Sequence, residues 1–125
     1  MDGQPQLSGK KFDEGKPQLG LISTAFLWAI AKVMTHGRQK YGANNWREGL
    51  DWHRPYDALQ RHLTVWWDGE DIDQDSGYSH LWLASCELMF LVEYENKKRG
   101  NDDRYKGNAD KRGPGKDDRY KATKE

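Results

Sequence analysis

Apolar residues gather into three stretches with helical spacing, separated by polar segments. In the first, Leu21, Ile22, Ala25, Phe26, Ala29, Ile30, Val33 and Met34 recur as i, i+1, i+4, i+5 and keep to one face. This predicts a helix from residue 21 or 23 to about 40, with Gly42 suited to its C-terminal cap. Residues 43–53, rich in Asn, Gly and Trp, read as a loop. A second helix is expected from Pro55, a residue favoured in a first turn, to near Gly69, with Tyr56, Leu59, Leu63 and Trp66 as its stripe. An acidic loop over residues 70–77 follows. The third helix is expected over residues 78–98, apolar through Val92 and charged afterwards. No period-2 run of β-branched or aromatic residues suggests a strand. The predicted fold is all-α, three main helices in a small helical bundle.

The flanks differ in kind. Residues 1–20 carry Gly3, Gly9, Gly15, Gly20, Pro5 and Pro17 without periodicity, and read as an irregular N-terminal arm. Residues 100–125 contain no Leu, Ile, Val, Phe, Met or Trp, whereas all six Trp lie between positions 28 and 82. That composition predicts a polar, disordered tail. Asp-Asp-Arg-Tyr-Lys occurs in it twice, at residues 102–106 and 117–121, too few copies for a solenoid. The domain proper is then residues 21–99, small enough that homo-oligomerisation would help to stabilise it.

Charge and cysteine usage narrow the function classes. Twenty Lys and Arg balance twenty Asp and Glu, and this net zero disfavours nucleic-acid binding driven by phosphate neutralisation. Cys86 is alone and the start is polar without Lys or Arg, so a reducing cytoplasm is expected. The longest nearly apolar stretch, residues 81–92, is too short to span a bilayer.

Glu70, Asp71, Asp73 and Asp75 place four carboxylates within six residues, which suits a hard divalent ion. An EF-hand is rejected, because Gly77 falls at position 7 and Trp82 at position 12 of that loop pattern. A solvated connection, with acids near the N-terminus of the third helix, is the alternative. In that helix His80, Ala84, Glu87 and Leu91 share a face, and Glu87 is the lone charge between Leu81 and Val92. A buried carboxylate needs a cation: a metal, His62 or an Arg such as Arg61. Asp57, Arg61 and His62 on the second helix suggest a polar seam facing the third. On the first helix, Trp28, Lys32, His36 and Lys40 form a basic strip that either meets phosphate or faces solvent.

Taken in order, several segments resemble the phage dATP/dGTP diphosphohydrolase family, related in function to MazG-type all-α nucleotide pyrophosphohydrolases. They are Lys11 to Pro17 (KFDEGKP), Ala31-Lys32-Val33, Gly37 to Trp46 (GRQKYGANNW), Asp57 to Leu63 (DALQRHL), Gly69 to Gly77 (GEDIDQDSG) and His80-Leu81. The resemblance implies hydrolysis of a purine deoxynucleoside triphosphate to monophosphate and pyrophosphate, with Mg²⁺ or Mn²⁺. On that reading Glu70, Asp73, Asp75, His80 and Glu87 are the expected metal ligands, with Glu70, Asp73, His80 and Glu87 acting in catalysis. Lys16, Lys32, Lys40 and Arg61 would meet phosphate, Asn45 and Trp46 the purine, and His62 would orient or ligate. A non-catalytic helical nucleotide or nucleic-acid binder, or a scaffold with a docking tail, is the alternative.

Overall fold

Each helix begins where the chain supplies an acceptor for its unpaired first N–H groups. The structure, a computed structural model, describes residues 6–113. Ser23 caps α1 (Thr24–Tyr41) by accepting from the Phe26 N–H at 3.3 Å, and Ser79 caps α3 (His80–Lys97) by accepting from Leu81 at 3.1 Å. Between them, α2 (His53–Trp67) has no side-chain cap from its own N-cap residue, Trp52. Asp103 supplies one from fifty residues away, its Oδ1 accepting from the His53 N–H at 3.1 Å. Short 3₁₀ helices at Leu19–Leu21, Asn45–Glu48 and Lys106–Lys111 complete the order. Among the described residues there is no strand, only two isolated bridges, Asp51 to Asn101 and Ile72 to Ser79. No helix is long and apolar enough to cross a membrane.

The three helices fall where the apolar spacing predicts them, within a few residues at each end. Their arrangement is open. α3 packs along α2, against α1 and against the 3₁₀ helix Asn45–Glu48, whereas α1 and α2 make almost no contact with each other. α3 is therefore the common partner of both. The buried set is short: Ala29, Pro55, His80, Ala84, Cys86 and Tyr94. Tyr94 is wholly enclosed, and its hydroxyl donates to the Trp46 carbonyl at 2.6 Å. Trp46 in turn stacks on Phe90 with ring centres 5.0 Å apart, so the 3₁₀ helix is pinned against α3.

The polar tail expected over residues 100–125 divides at residue 113. Residues 114–125, with the second Asp-Asp-Arg-Tyr-Lys copy, lie outside the described residues, as do residues 1–5. Residues 99–104 return to the start of α2. Trp52 donates its backbone N–H to Asn101 O at 2.9 Å and its indole N–H to Arg99 O at 2.8 Å, and Asn101 N–H meets Leu50 O at 3.1 Å. Two glycines permit this approach. Gly49 and Gly100 both have positive φ, 99° and 73°, and a Cβ on Gly100 would run into the Leu50 carbonyl. Composition hides this clasp because its contacts are mostly backbone.

Cutting the chain after Arg99 should lower the melting temperature, since the Asn101 bonds and the Asp103 cap vanish at about 1 kcal/mol each. Gly100→Ala should reproduce much of that loss by strain and collision, at roughly 2 kcal/mol or more. Thermal melts of both variants check this; unchanged melting would mean that the clasp contributes nothing to stability.

Candidate active site

His80 opens α3 at 3 % exposure, and a buried imidazole must satisfy both of its nitrogens. Nε2 lies 2.7 Å from Glu70 Oε2, and Nδ1 lies 2.9 Å from Nδ1 of His62 on α2. With both rings neutral, one proton arrangement satisfies this chain. His80 Nε2–H donates to the carboxylate and His62 Nδ1–H donates to His80 Nδ1. The lone pair of His62 then sits on Nε2. Burial, followed by the electrostatic effect of His80, lowers the His62 pKa below its ordinary value, so that ring is held neutral.

The acidic loop is built by its own backbone. Asp73 N–H meets Tyr78 O at 2.8 Å, Gly77 N–H meets Asp73 O at 2.8 Å, and His80 N–H meets Asp71 O at 2.9 Å. Asp73 Oδ2 accepts from the Ser76 N–H at 3.0 Å. The Ser76 hydrogen bonds are the main reason its carboxyl lies below the usual range, and His62 exerts a smaller electrostatic influence in the same direction. Asp73 thus faces the histidine pair as a carboxylate. Asp75 sits exposed at the turn, offering its backbone N–H to Asp73.

Glu87 lies elsewhere. It lines a cavity of about 170 Å³ between α1 and α3 with Arg38, Tyr41, Trp46, Leu83 and Phe90. It has no hydrogen bond or ion pair within 4 Å among the described residues. Burial pushes its carboxyl up to about 7, against the pull of Arg61 on α2. Arg61 acts electrostatically on His62 as well, so its charge is felt at both places. The expected five-ligand set therefore divides. Glu70, His80 and His62 form one hydrogen-bonded series on which Asp73 acts electrostatically, and Glu87 faces a different pocket.

The remaining expected contacts are scattered. Lys16 is exposed in the arm, Lys40 lies over the Tyr41 ring, and Asn45 opens the 3₁₀ helix. Trp46 is committed to packing, with the Arg47 guanidinium 4.5 Å from its ring centre. Lys32 lies 5.7 Å from the Trp82 ring and, with Trp28, His36 and Tyr78, lines an open hollow of about 360 Å³ beside the start of α3. One cluster escapes the sequence reading altogether. Asp51, His53 and Asp103 bring ligand atoms within 4.8 Å of one another, all exposed. His53 Nδ1 lies 2.5 Å from Asp103 Oδ2, a bond that raises the His53 pKa. Asp51-x-His53 is visible in the sequence, but nothing local announces Asp103.

Set against known proteins, the geometry acquires a family. A model described as dATP/dGTP diphosphohydrolase, N-terminal, matches residues 6–104, a span that holds all three helices and the clasp. The chain belongs to this family. It is similar to the dATP/dGTP diphosphohydrolase of Salmonella phage PMBT28, with 39 % identity over 98 residues, 78 % of this chain and 33 % of that protein. The chain thus spans about a third of the length of the curated relative it matches. No solved structure matches it significantly.

The histidine pair has a pH signature. His62 has a folded pKa below its unfolded value of 6.5, so its contribution to stability is present above pH 6.5 and lost as pH falls through the folded value. Melting temperature should therefore drop on acidification below 6.5, and His62→Gln should flatten part of that drop. Parallel melts across pH test it; identical acid limbs would show that the His62 pKa is the same in the folded and unfolded chain.

Proposed function

We propose that this chain hydrolyses a purine deoxynucleoside triphosphate, dATP or dGTP, to the monophosphate and pyrophosphate, at the first turn of α3 and in a reducing cytoplasm. The observation that carries the reading is the hydrogen-bonded series Glu70, His80, His62 beside the ionised Asp73, in a family whose phage relative bears that name. Water attacks the α-phosphorus, the bond to the bridging oxygen breaks, and pyrophosphate leaves with that electron pair. His62 Nε2 takes the proton of the attacking water, and the Glu70–His80 pair steadies the imidazolium that results. Arg61, acting between His62 and Glu87, balances phosphate charge.

The donor set suits Mg²⁺ or Mn²⁺. Glu70 engages Oε2 with His80, which leaves Oε1 as a hard oxygen ligand, and Asp73, held ionised by the Ser76 and Asp75 hydrogen bonds, supplies a second carboxylate. A bound divalent ion would offset triphosphate charge and lower the pKa of a coordinated water. Glu70 and Asp73 would hold it, His80 would fix the orientation of Glu70, and Asp75 would add charge at the rim.

We also propose that the chain works as a homo-oligomer. Phe26 and Leu27 on α1, Trp67 on α2, and Leu88 and Val92 on α3 are between 46 and 80 % exposed, more apolar helix surface than a free monomer of this size usually shows. Sedimentation at micromolar concentration should give a species larger than 14.5 kDa; a monomer alone would remove this part.

Purified protein incubated with each of the four dNTPs, with and without Mn²⁺, should release pyrophosphate from dATP and dGTP only when metal is present. Glu70→Gln and Asp73→Asn should each cut the rate by about 100-fold or more while melting normally, because an amide can still accept the loop hydrogen bonds. Absence of pyrophosphate from all four nucleotides would sink the proposal, as would full turnover by both variants.

A further inference from the structure

Among the described residues, Glu87 is the carboxylate that is largely buried, faces a cavity, and has neither an ion pair nor a hydrogen bond. Such a group is costly unless a ligand completes it. The cavity around it is otherwise apolar and aromatic, walled by Val33, Met34, Leu83, Phe90 and Trp46. Its volume of about 170 Å³ is comparable to the roughly 150 Å³ that admits a benzene ring, and exposed Tyr41 and Gly42 on its lining leave it a mouth for a second fused ring. Flat apolar walls with one hydrogen-bonding group are what a heterocyclic base requires.

Position supports a base rather than a phosphate. Glu87 follows His80 by seven residues on the same helix, about 10 Å at the helical rise, which is comparable to the reach from a base edge to its phosphates. Arg61 acts electrostatically on residues at both places, where the charged middle of a nucleotide would lie. A second acid against a triphosphate would only repel it unless it meets a donor edge.

We propose that Glu87 is the specificity residue of a purine-base pocket between α1 and α3, where its carboxyl pairs with the Watson–Crick edge of the bound base. This deepens the nucleotide reading above and rests on it. The ionised carboxylate accepts from guanine N1–H and N2–H together. The protonated carboxyl instead donates to adenine N1 and accepts from the adenine N6 amino group. One residue thereby serves both purines, with protonation selecting between them.

The surroundings allow that titration. Around Glu87 are Arg38 and Tyr41 on α1, Arg61 acting on it from α2, and Cys86 and Tyr94 on α3, while Arg47 of the 3₁₀ helix is paired with Glu93. Burial pushes the Cys86 thiol up to about 12 and raises the Tyr94 hydroxyl, so both stay neutral. Glu87, pushed up to about 7, is the group in this set that changes charge near neutrality.

The test is metal-free binding of dGMP, dAMP and dCMP to the full chain and to Glu87→Gln, followed by tryptophan fluorescence across pH, beside the hydrolysis assay. Wild type should bind both purines and dCMP at least tenfold more weakly. Its preference for dGMP over dAMP should rise with pH through the region around 7. Glu87→Gln should lose dGMP affinity about tenfold or more, keep dAMP within a few fold, and show no pH-dependent switch. A wild-type dGMP to dAMP ratio that does not move with pH, or one that Glu87→Gln leaves unchanged, overturns the proposal, and the wild-type pH series decides the matter even if the variant fails to fold. Hydrolysis by wild type with an unaltered ratio in the variant would defeat this pocket alone. Glu87-dependent purine binding without any hydrolysis would defeat the catalytic reading and leave the pocket standing.

Discussion

A polar ring held at 3 % exposure has to satisfy two nitrogens, and His80 does so by drawing in two other parts of the chain. One nitrogen meets His62 on α2 and the other meets Glu70 in the loop between the helices. The bonds that make α3 compatible with its burial are therefore the bonds that line up the reactive groups. Removing either partner leaves a polar atom enclosed without a mate, at about 1–3 kcal/mol. Fold and chemistry share one constraint here. That explains why the acidic loop, which looks like a spacer by composition, is ordered through Asp73, Ser76 and Gly77 down to its turn.

The second organising fact is that α3 is the partner of everything else. Because α1 and α2 scarcely meet, the surface of α3 between them is floor rather than core. Chemistry then spreads along its length, with the histidines and loop acids at its first turn and Glu87 two turns on. The 3₁₀ helix, pinned by Tyr94 and by the Trp46–Phe90 stack, bounds the far end. A short core suffices because few side chains need to be enclosed to set this geometry.

Much of this was legible in the sequence, for identifiable reasons. Helical periodicity located all three helices, and Ser23 and Gly42 behaved as cap residues. Glu87 announced itself as a lone charge in an apolar run, but its pocket depends on Arg38, Tyr41 and Trp46, which come from another helix and a 3₁₀ turn. That contact is tertiary, and no spacing within α3 encodes it. His62 and His80 could be suspected of meeting; the order Glu70, His80, His62 could not be read without coordinates. The clasp at residues 99–104 was invisible because polar composition describes side chains, whereas the clasp is made by carbonyls, N–H groups and the missing Cβ atoms of Gly49 and Gly100.

That clasp also bears on how the molecule opens. It ties the residue before α2 to the residues after α3, so α2, the acidic loop and α3 form a loop closed on itself, with the histidine pair inside it. α1 stands outside that closure and is held by α3 alone among the helices. Local unfolding follows such divisions. α1 can detach as a unit while the α2–α3 ring persists, and its amides should exchange with solvent ahead of those in α3. The α1 wall of the Glu87 cavity is thus the least anchored element, and a base seated there would slow exchange in α1 more than anywhere else.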